Sequence, residues 1–380
     1  MKKGSNTNTI KAQNYSLILN CLRKSPMSRA QISKLTSLSK SAVTMLTKQL
    51  IDEGWLVEIG TTNTDFGRHP ILLDIVKEHR FAMGVNLTRK LVSVCLVNLK
   101  LEIIDMISSD ISNFSSAMQV IDWCYENGFK LIEKNSLEKE SCIGIGVASP
   151  GPLDYKTKTV LNPPNFPILK GVNIAKLFEK HTNLPVFLNN GPVLMAIYEH
   201  TKRKEKIENY LYVTVDNGIG SAIIQKGKVY RGSGGFSGEI GHTTVDINGP
   251  LCDCGNNGCL EGYATKKAIE SRFGNSFEVM TDLAYSNDQK AVSEVEKTAR
   301  LLSAGIINAV NLLDVDAVII HGELNYRYEM LFSKIQENIN NRSIISRAHS
   351  VTVLPSIITK TQDVAFSAAT VIEKNFNQEI

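Results

Sequence analysis

The first eighty residues pass from a helical hydrophobic period to strand-like runs. Over Ala12–Lys24 the apolar side chains Tyr15, Ile18, Leu19 and Leu22 fall on one helical face, and Ser25-Pro26 ends the run. Ser28, with Gln31 three residues on, predicts a capping box for a second helix over about 28–36, whose apolar positions are Ala30, Ile32 and Leu35. After the turn Thr36-Ser37-Leu38-Ser39, either Ser39 or Ser41 can cap a third helix. It runs to about Glu53 with Val43, Leu46, Leu50 and Ile51 inward, and Gly54 stops it. Trp55–Ile59 and Pro70–Ile75 then read as strands around a polar loop containing Gly60, Gly67, Arg68 and His69. Three helices and a hairpin predict a winged helix-turn-helix over residues 1–78.

Beyond His79 the pattern becomes strand-rich. Phe81–Leu87, Val92–Val97 and Glu102–Ile107 read as strands, and a helix is expected around Ala117–Glu133. Cys142–Ala148 precedes Ser149-Pro150-Gly151-Pro152, and Val186–Asn189 precedes a helix that begins near Pro192. Tyr210–Val215, a glycine turn at Asp216–Gly220, Ser221–Ile224 and Gly227-Lys228-Val229 read as strand, turn, strand and hairpin. The apolar stretch Val295–Leu313 predicts a helix serving the core first and a dimer interface second, while Ala317–His321 and Ala365–Phe376 return the chain to its lobes. Strands alternating with helices give an α/β class for residues 79–380, with a small lobe at about 79–190 plus the C-terminal segment and a large lobe at about 191–360.

Composition supports this division. A chain of 380 residues exceeds one ordinary core, and 43% hydrophobic residues, 21% charged residues and a mean hydropathy of −0.08 describe a soluble globular protein rather than a disordered one. Residues 1–11 are basic but lead into no long apolar run, so neither a signal peptide nor a membrane span is expected and the cytoplasm is the default location. The net charge of +4 is uneven: residues 1–80 hold 12 Lys and Arg against 6 Asp and Glu, whereas the rest holds 30 against 32. A basic head on a slightly acidic body points to nucleic acid at the head.

On the third helix Lys40, Ser41, Thr44, Thr47 and Lys48 are expected to face out. Small hydroxyl side chains let a helix approach base edges in the major groove, and lysines neutralise phosphates. Arg29, Ser39 and Arg68 complete the candidate DNA contacts, with Arg68 and the wing near the backbone or minor groove. A protein-interaction module would share the same three-helix outline without the basic charge.

Four of the seven cysteines are scattered, whereas Cys252, Cys254 and Cys259 crowd into a glycine-rich loop just after His242. One imidazole and three thiols at this spacing suit a tetrahedral Zn2+ site of structural kind. Buried thiols used as small hydrophobes would explain poorly why Cys-x-Cys-x4-Cys sits in a polar loop.

Together with Gly67-Arg68-His69-Pro70, Pro150-Gly151-Pro152, Asn162-Pro163-Pro164-Asn165, Tyr230-Arg231-Gly232 and Gly238–His242, the cysteine motif resembles the ROK family of repressors, open reading frames and sugar kinases, which share an actin-like two-lobed fold. With the winged head and Arg231–Glu239, the chain looks most like the family's xylose-repressor branch. The resemblance implies a monosaccharide ligand, xylose being the leading candidate, held by Glu239, His242 and Glu261 with Asn165, Asn189 and Asn190. His242 would then serve both metal and sugar. It implies an operator-DNA partner and a homodimer or higher oligomer.

It also implies that phosphoryl transfer is lost. The resemblance sets Asn190 where the kinases carry a general-base aspartate, and an amide cannot take that proton. Gly84-Val85-Asn86-Leu87-Thr88 lacks the aspartate and second glycine of the kinases' first phosphate loop. Asp216-Asn217 replaces a Gly-Thr pair and sets a carboxylate where phosphates would bind. A sensor rather than an enzyme is expected, and an active sugar kinase with a regulatory DNA-binding head is the alternative.

Overall fold

The computed structural model describes residues 7–23, 25–61, 70–359 and 364–377. The chain forms two compact units, Met1–Leu194 with Thr361–Ile380, and Met195–Lys360.

The first unit opens with the winged head: α1 (Thr7–Leu22), β1 (Met27–Ser28), α2 (Arg29–Thr36), α3 (Lys40–Asp52), β2 (Leu56–Thr61) and β3 (Ile71–Ile75). The capping box forms as expected. The Ser28 hydroxyl accepts the Gln31 N–H, and the Gln31 side-chain oxygen takes the Ser28 N–H at 2.8 Å. Ser37, left-handed at φ 58°, ends α2, and the Ser39 hydroxyl, rather than Ser41, caps α3 through the Ala42 N–H. One element was not expected: Met27–Ser28 pairs antiparallel with β3 and makes the sheet three-stranded, in the order β1-β3-β2. Two residues are too few for an alternation to register. Ile18, Leu19, Leu22, Ile32, Val43, Leu46, Leu50, Leu56 and Leu73 close the head's core, all but excluded from solvent.

The rest of the first unit is a five-stranded sheet with helical cover. Its elements are β4 (Phe81–Leu87), β5 (Leu91–Asn98), β6 (Ile103–Asp110), α4 (Ala117–Lys134), β7 (Cys142–Ala148), the three two-residue strands β8 (Leu153–Asp154), β9 (Thr159–Val160) and β10 (Val172–Asn173), α5 (Ile174–Phe178) and β11 (Val186–Asn189). The order is β11-β7-β4-β5-β6, antiparallel from β4 to β6 and parallel from β4 to β11. Helix α6 (Gly191–Lys202) leads out of the unit.

The second unit contains β12 (Tyr210–Val215), β13 (Ile219–Gln225), β14 (Lys228–Tyr230), α7 (Glu261–Ala264), α8 (Lys266–Phe273), α9 (Phe277–Tyr285), α10 (Gln289–Leu313), β15 (Ala317–Gly322), α11 (Glu329–Arg342) and β16 (Thr352–Pro355). Its sheet order, β14-β13-β12-β15-β16, repeats that of the first unit: a strand with two antiparallel followers on one side and two parallel successors on the other. Leu302, Ile306, Ile307 and Val310 of α10 are buried in its core, in keeping with the expectation for that helix, although Leu312 is 84% exposed. The last helix, α12 (Ala369–Phe376), returns to the first unit. No helix among the described residues is long and apolar enough to cross a membrane.

Candidate functional site

Helix α3 presents Lys40, Ser41, Thr44 and Lys48 to solvent as expected, and Ser39 is exposed at its cap. Met45, also exposed at 56%, lies among them and was missed, because a methionine reads as core at helical spacing. Its apolar tip can meet a thymine methyl group.

Thr47 corrects the expectation. It is fully buried, since it follows Val43 by one helical turn between Leu46 and Leu50. Its hydroxyl donates to the Val43 carbonyl at 2.8 Å and accepts from Arg29 Nε at 3.0 Å. Arg29, at the start of α2, also reaches Glu58 Oε1 on β2 at 2.9 Å. One guanidinium thus ties α2, α3 and β2 together and fixes the presentation of α3. Arg68, with Gly67 and His69, lies outside the described residues.

The second unit holds the other group. Gly238 runs against β13, its carbonyl accepting both the N–H and the hydroxyl of Ser221. That contact brings in Glu239 and the 3-10 turn Ile240–His242. From the start of α7, Glu261 accepts the Ile219 N–H at 2.8 Å, so its carboxylate meets the beginning of the same strand. Glu239 is exposed over much of its side chain. Even so, packed atoms around its carboxyl raise its pKa; His242 opposes that rise and Glu261 adds to it, which sets the three side chains as electrostatic neighbours.

Beside them His242, Cys252, Cys254 and Cys259 offer four ligand atoms that all lie within 4.8 Å of one another. Cys252 Sγ stands 3.8 Å from His242 Nδ1, and Cys254 Sγ stands 3.6 Å from Cys259 Sγ. Thiolates about 2.3 Å from one ion sit about 3.8 Å apart in a tetrahedron, so the donor set is of the kind and closeness that a tetrahedral metal takes. The loop is shaped for this. A side chain at Gly258, left-handed at φ 62°, would collide with the Asp246 carbonyl. Asn256, which sequence reasoning missed, donates to the His242 carbonyl at 3.2 Å and to Cys259 Sγ at 3.6 Å. The Asn256 N–H draws the Cys254 thiol below its ordinary pKa, while burial pushes Cys259 up to about 12, so a bound cation must displace the Cys259 proton.

The remaining expected sugar residues belong to the first unit. Asn165 is exposed and left-handed at φ 53°, in the loop whose Pro164 carbonyl accepts from Arg89 Nε at 2.8 Å. Asn189 ends β11, 3% exposed, and its Nδ2 donates to Thr370 Oγ1 at 3.2 Å. The Asn190 side chain accepts the Val193 N–H at the start of α6.

The two expected phosphate turns join equivalent strands of the two sheets. Between β4 and β5 the turn is closed by Thr88, whose hydroxyl accepts the Leu91 N–H at 2.8 Å and donates to the Leu91 carbonyl at 2.9 Å. Between β12 and β13, Asp216 is exposed, its Oδ1 accepts the Glu323 N–H, and its carbonyl accepts from Lys266. Lys266 Nζ is itself paired with Glu323, Glu278 and Glu270.

The profile of the ROK family matches residues 82–369. The chain belongs to the ROK family. It is 30% identical over 374 residues to the xylose repressor of Bacillus spizizenii, with 96% of each chain covered, and 26% identical to the DNA-binding transcriptional dual regulator NagC of Escherichia coli, with 84% of this chain and 82% of that one covered. Among solved structures, it resembles a ROK family transcriptional regulator described as a homologue of the Escherichia coli MLC protein at a TM-score of 0.79 and 24% identity, covering 97% and 98% of the two chains. The ROK hexokinase of Thermus thermophilus shares the fold at a TM-score of 0.65 and 24% identity, over 76% of this chain and 97% of that one. The kinase-like part therefore has the family's two-lobed architecture.

Proposed function

We propose that this ROK protein is a sugar-responsive transcriptional repressor. The observation that carries the reading is the likeness to a xylose repressor across 96% of both chains, winged head included. Residues 1–78 form the DNA-binding domain and 79–380 the sensing domain. As a homodimer in the cytoplasm, it would set α3 in the major groove of each operator half-site. There Lys40 and Lys48 meet phosphates, while Ser39, Ser41, Thr44 and Met45 face base edges. Arg29 orients α3, and Arg68 or the wing lies near the backbone or minor groove of the DNA.

A monosaccharide, with xylose the first to test, is held by Glu239, His242 and Glu261. Asn165, Asn189 and Asn190 have the same role on the first unit. Carboxylates and amides pair with sugar hydroxyls and leave few buried groups unsatisfied. His242, Cys252, Cys254 and Cys259 hold a Zn2+ ion, whose contribution is structural: it fixes the loop that carries His242 and leads into Glu261.

Phosphoryl transfer is not part of this reading. The Asp216 carboxylate at the second turn, with Glu323, Glu278 and Glu270 paired to nearby Lys266, disfavours nucleotide phosphates by like-charge repulsion. The test is fluorescence anisotropy of the purified protein with DNA from upstream of its own gene, at fixed salt, titrated with D-xylose, D-glucose and N-acetyl-D-glucosamine. Specific binding released by one sugar supports the reading, and binding indifferent to every sugar overturns its sensor half. Sugar-dependent ATP hydrolysis would restore the kinase alternative.

A further inference from the structure

The C-terminal helix α12 touches both the β11 corner and the DNA-binding head. At its first turn Thr370, 4% exposed, accepts the hydrogen bond from Asn189 Nδ2, and further along Lys374 Nζ lies 5.5 Å from the Phe187 ring of the same strand. At its other end the fully buried Phe376 ring receives the guanidinium of Arg23, just beyond α1, at 4.8 Å. Asn377 Oδ1 accepts from Asn20 Nδ2 of α1 at 3.2 Å. Loss of water around Arg23 pulls its pKa down to about 10 against the attraction of Glu373 on α12, so the charge is drawn into this joint.

The helix is also seated so that it cannot absorb a displacement locally. A Cβ at Gly84 of β4 would strike Ser367 Oγ, and one at Gly146 of β7 would strike the Ser367 carbonyl, so the segment entering α12 lies directly on bare sheet backbone. Close-packed elements move as units rather than deform. Asn375 Oδ1 is buried on α12 with no hydrogen-bond donor, a cost that a small movement of the helix can relieve.

We infer that α12 carries the state of the sugar site to the DNA-binding head, with Thr370 reading Asn189 at one end and Phe376 holding Arg23 at the other. This rests on the sugar-responsive reading above. The Asn189 amide donates to Thr370 through one of its N–H groups, so a sugar hydroxyl engaging the same amide reorients it and alters the hydrogen bond that seats α12, and the head moves with it.

A second head-to-lobe joint supplies the control. Lys100 Nζ, in the turn between β5 and β6, pairs with both carboxylate oxygens of Asp74 on β3 at 2.7 and 2.6 Å, and neither residue is one of the proposed sugar residues. Breaking it alters how firmly the head is held without interrupting the route.

The experiment measures the operator Kd by anisotropy with and without saturating D-xylose, D-glucose or N-acetyl-D-glucosamine, and sugar affinity separately by calorimetry. Thr370→Val is expected to keep sugar affinity and sugar-free operator affinity within about threefold of wild type, while the sugar-induced change in operator Kd falls at least fivefold. Arg23→Met, at the far end, should lower the same ratio, and Lys100→Met should shift operator affinity equally with and without sugar. Thr370→Val and Arg23→Met proteins that respond as fully as wild type overturn the inference and leave the sensor reading standing. A wild-type protein indifferent to all three sugars overturns the sensor reading and the inference with it.

Discussion

The winged head and the cysteine loop of the second unit hold their functional side chains by opposite means. The head has a closed apolar core, hydroxyl caps on α2 and α3, and one arginine that braces three elements. The loop between His242 and Glu261 has little core of its own: Ile247 is 82% exposed, Leu251 is 75% exposed, and the features that gather it are four ligand atoms and tight glycine turns. A short polar loop can be as well ordered as a small domain only if something other than hydrophobic burial orders it. The head should therefore respond to many small perturbations and the loop to a single large one.

The largest effect is expected at the cluster. Four-donor structural zinc sites carry apparent binding free energies of about 10–16 kcal/mol, so removing one thiol from the set forfeits much of the energy that orders the loop. Cys259→Ala should reduce bound metal from about one ion per chain to none, as measured by elemental analysis, and lower the melting temperature. If Cys259→Ala melts as wild type does, the loop is held by something else and the contrast fails.

Next in size is an acid effect in the second unit, outside the loop. Burial lowers the pKa of His321 on β15 to about 4, from 6.5 in the unfolded chain. Between those values the unfolded chain binds a proton that the folded chain refuses. This contribution to stability is therefore full above pH 6.5, declines as the pH falls and levels off near pH 4, a loss of roughly 3 kcal/mol. Denaturant titrations across that range should show the decline, and His321→Leu should flatten it. Measuring with metal present and after chelation separates the core from the loop, whose thiolates also take up protons in acid.

Smaller effects belong to the head. Thr47→Val leaves Arg29 Nε without its acceptor and should cost about 1–2 kcal/mol while weakening operator binding, and Ser28→Ala should cost about 1 kcal/mol through the lost cap. Lys40→Ala and Lys48→Ala should leave stability within about 0.5 kcal/mol, and each should reduce the slope of log K against log salt by about one. A large stability loss from either lysine would mean that the face of α3 is structural rather than free for DNA.

How much of this was legible in the sequence depended on the range of each interaction. The capping box at Ser28, the cap at Ser39 and the Cys-x-Cys-x4-Cys loop are local patterns, and they appear where expected. Most strands of both sheets could be read from apolar runs bounded by turns; the two-residue strands and β16 (Thr352–Pro355) were not anticipated. Side-chain direction was harder. Thr47 has the chemistry of a base contact, but only the helical position after Val43 and the arrival of Arg29 decide that it faces inward. The partnership of Asn189 with Thr370 spans 181 positions and joins two ordinary polar residues, so no pattern announces it.

The first unit is discontinuous in the chain, and that imposes an order of events during synthesis. Strands β4 and β7 leave the ribosome early, but the segment that covers Gly84 and Gly146 follows the entire second unit. At roughly 5–20 residues per second, the head emerges complete well before the helix that docks against α1 exists. Chains halted late in translation would thus carry a winged head with no lobe closed behind it. In a regulator that answers to a small molecule, such products would be deaf to the signal, and their exposed sheet would mark them for degradation.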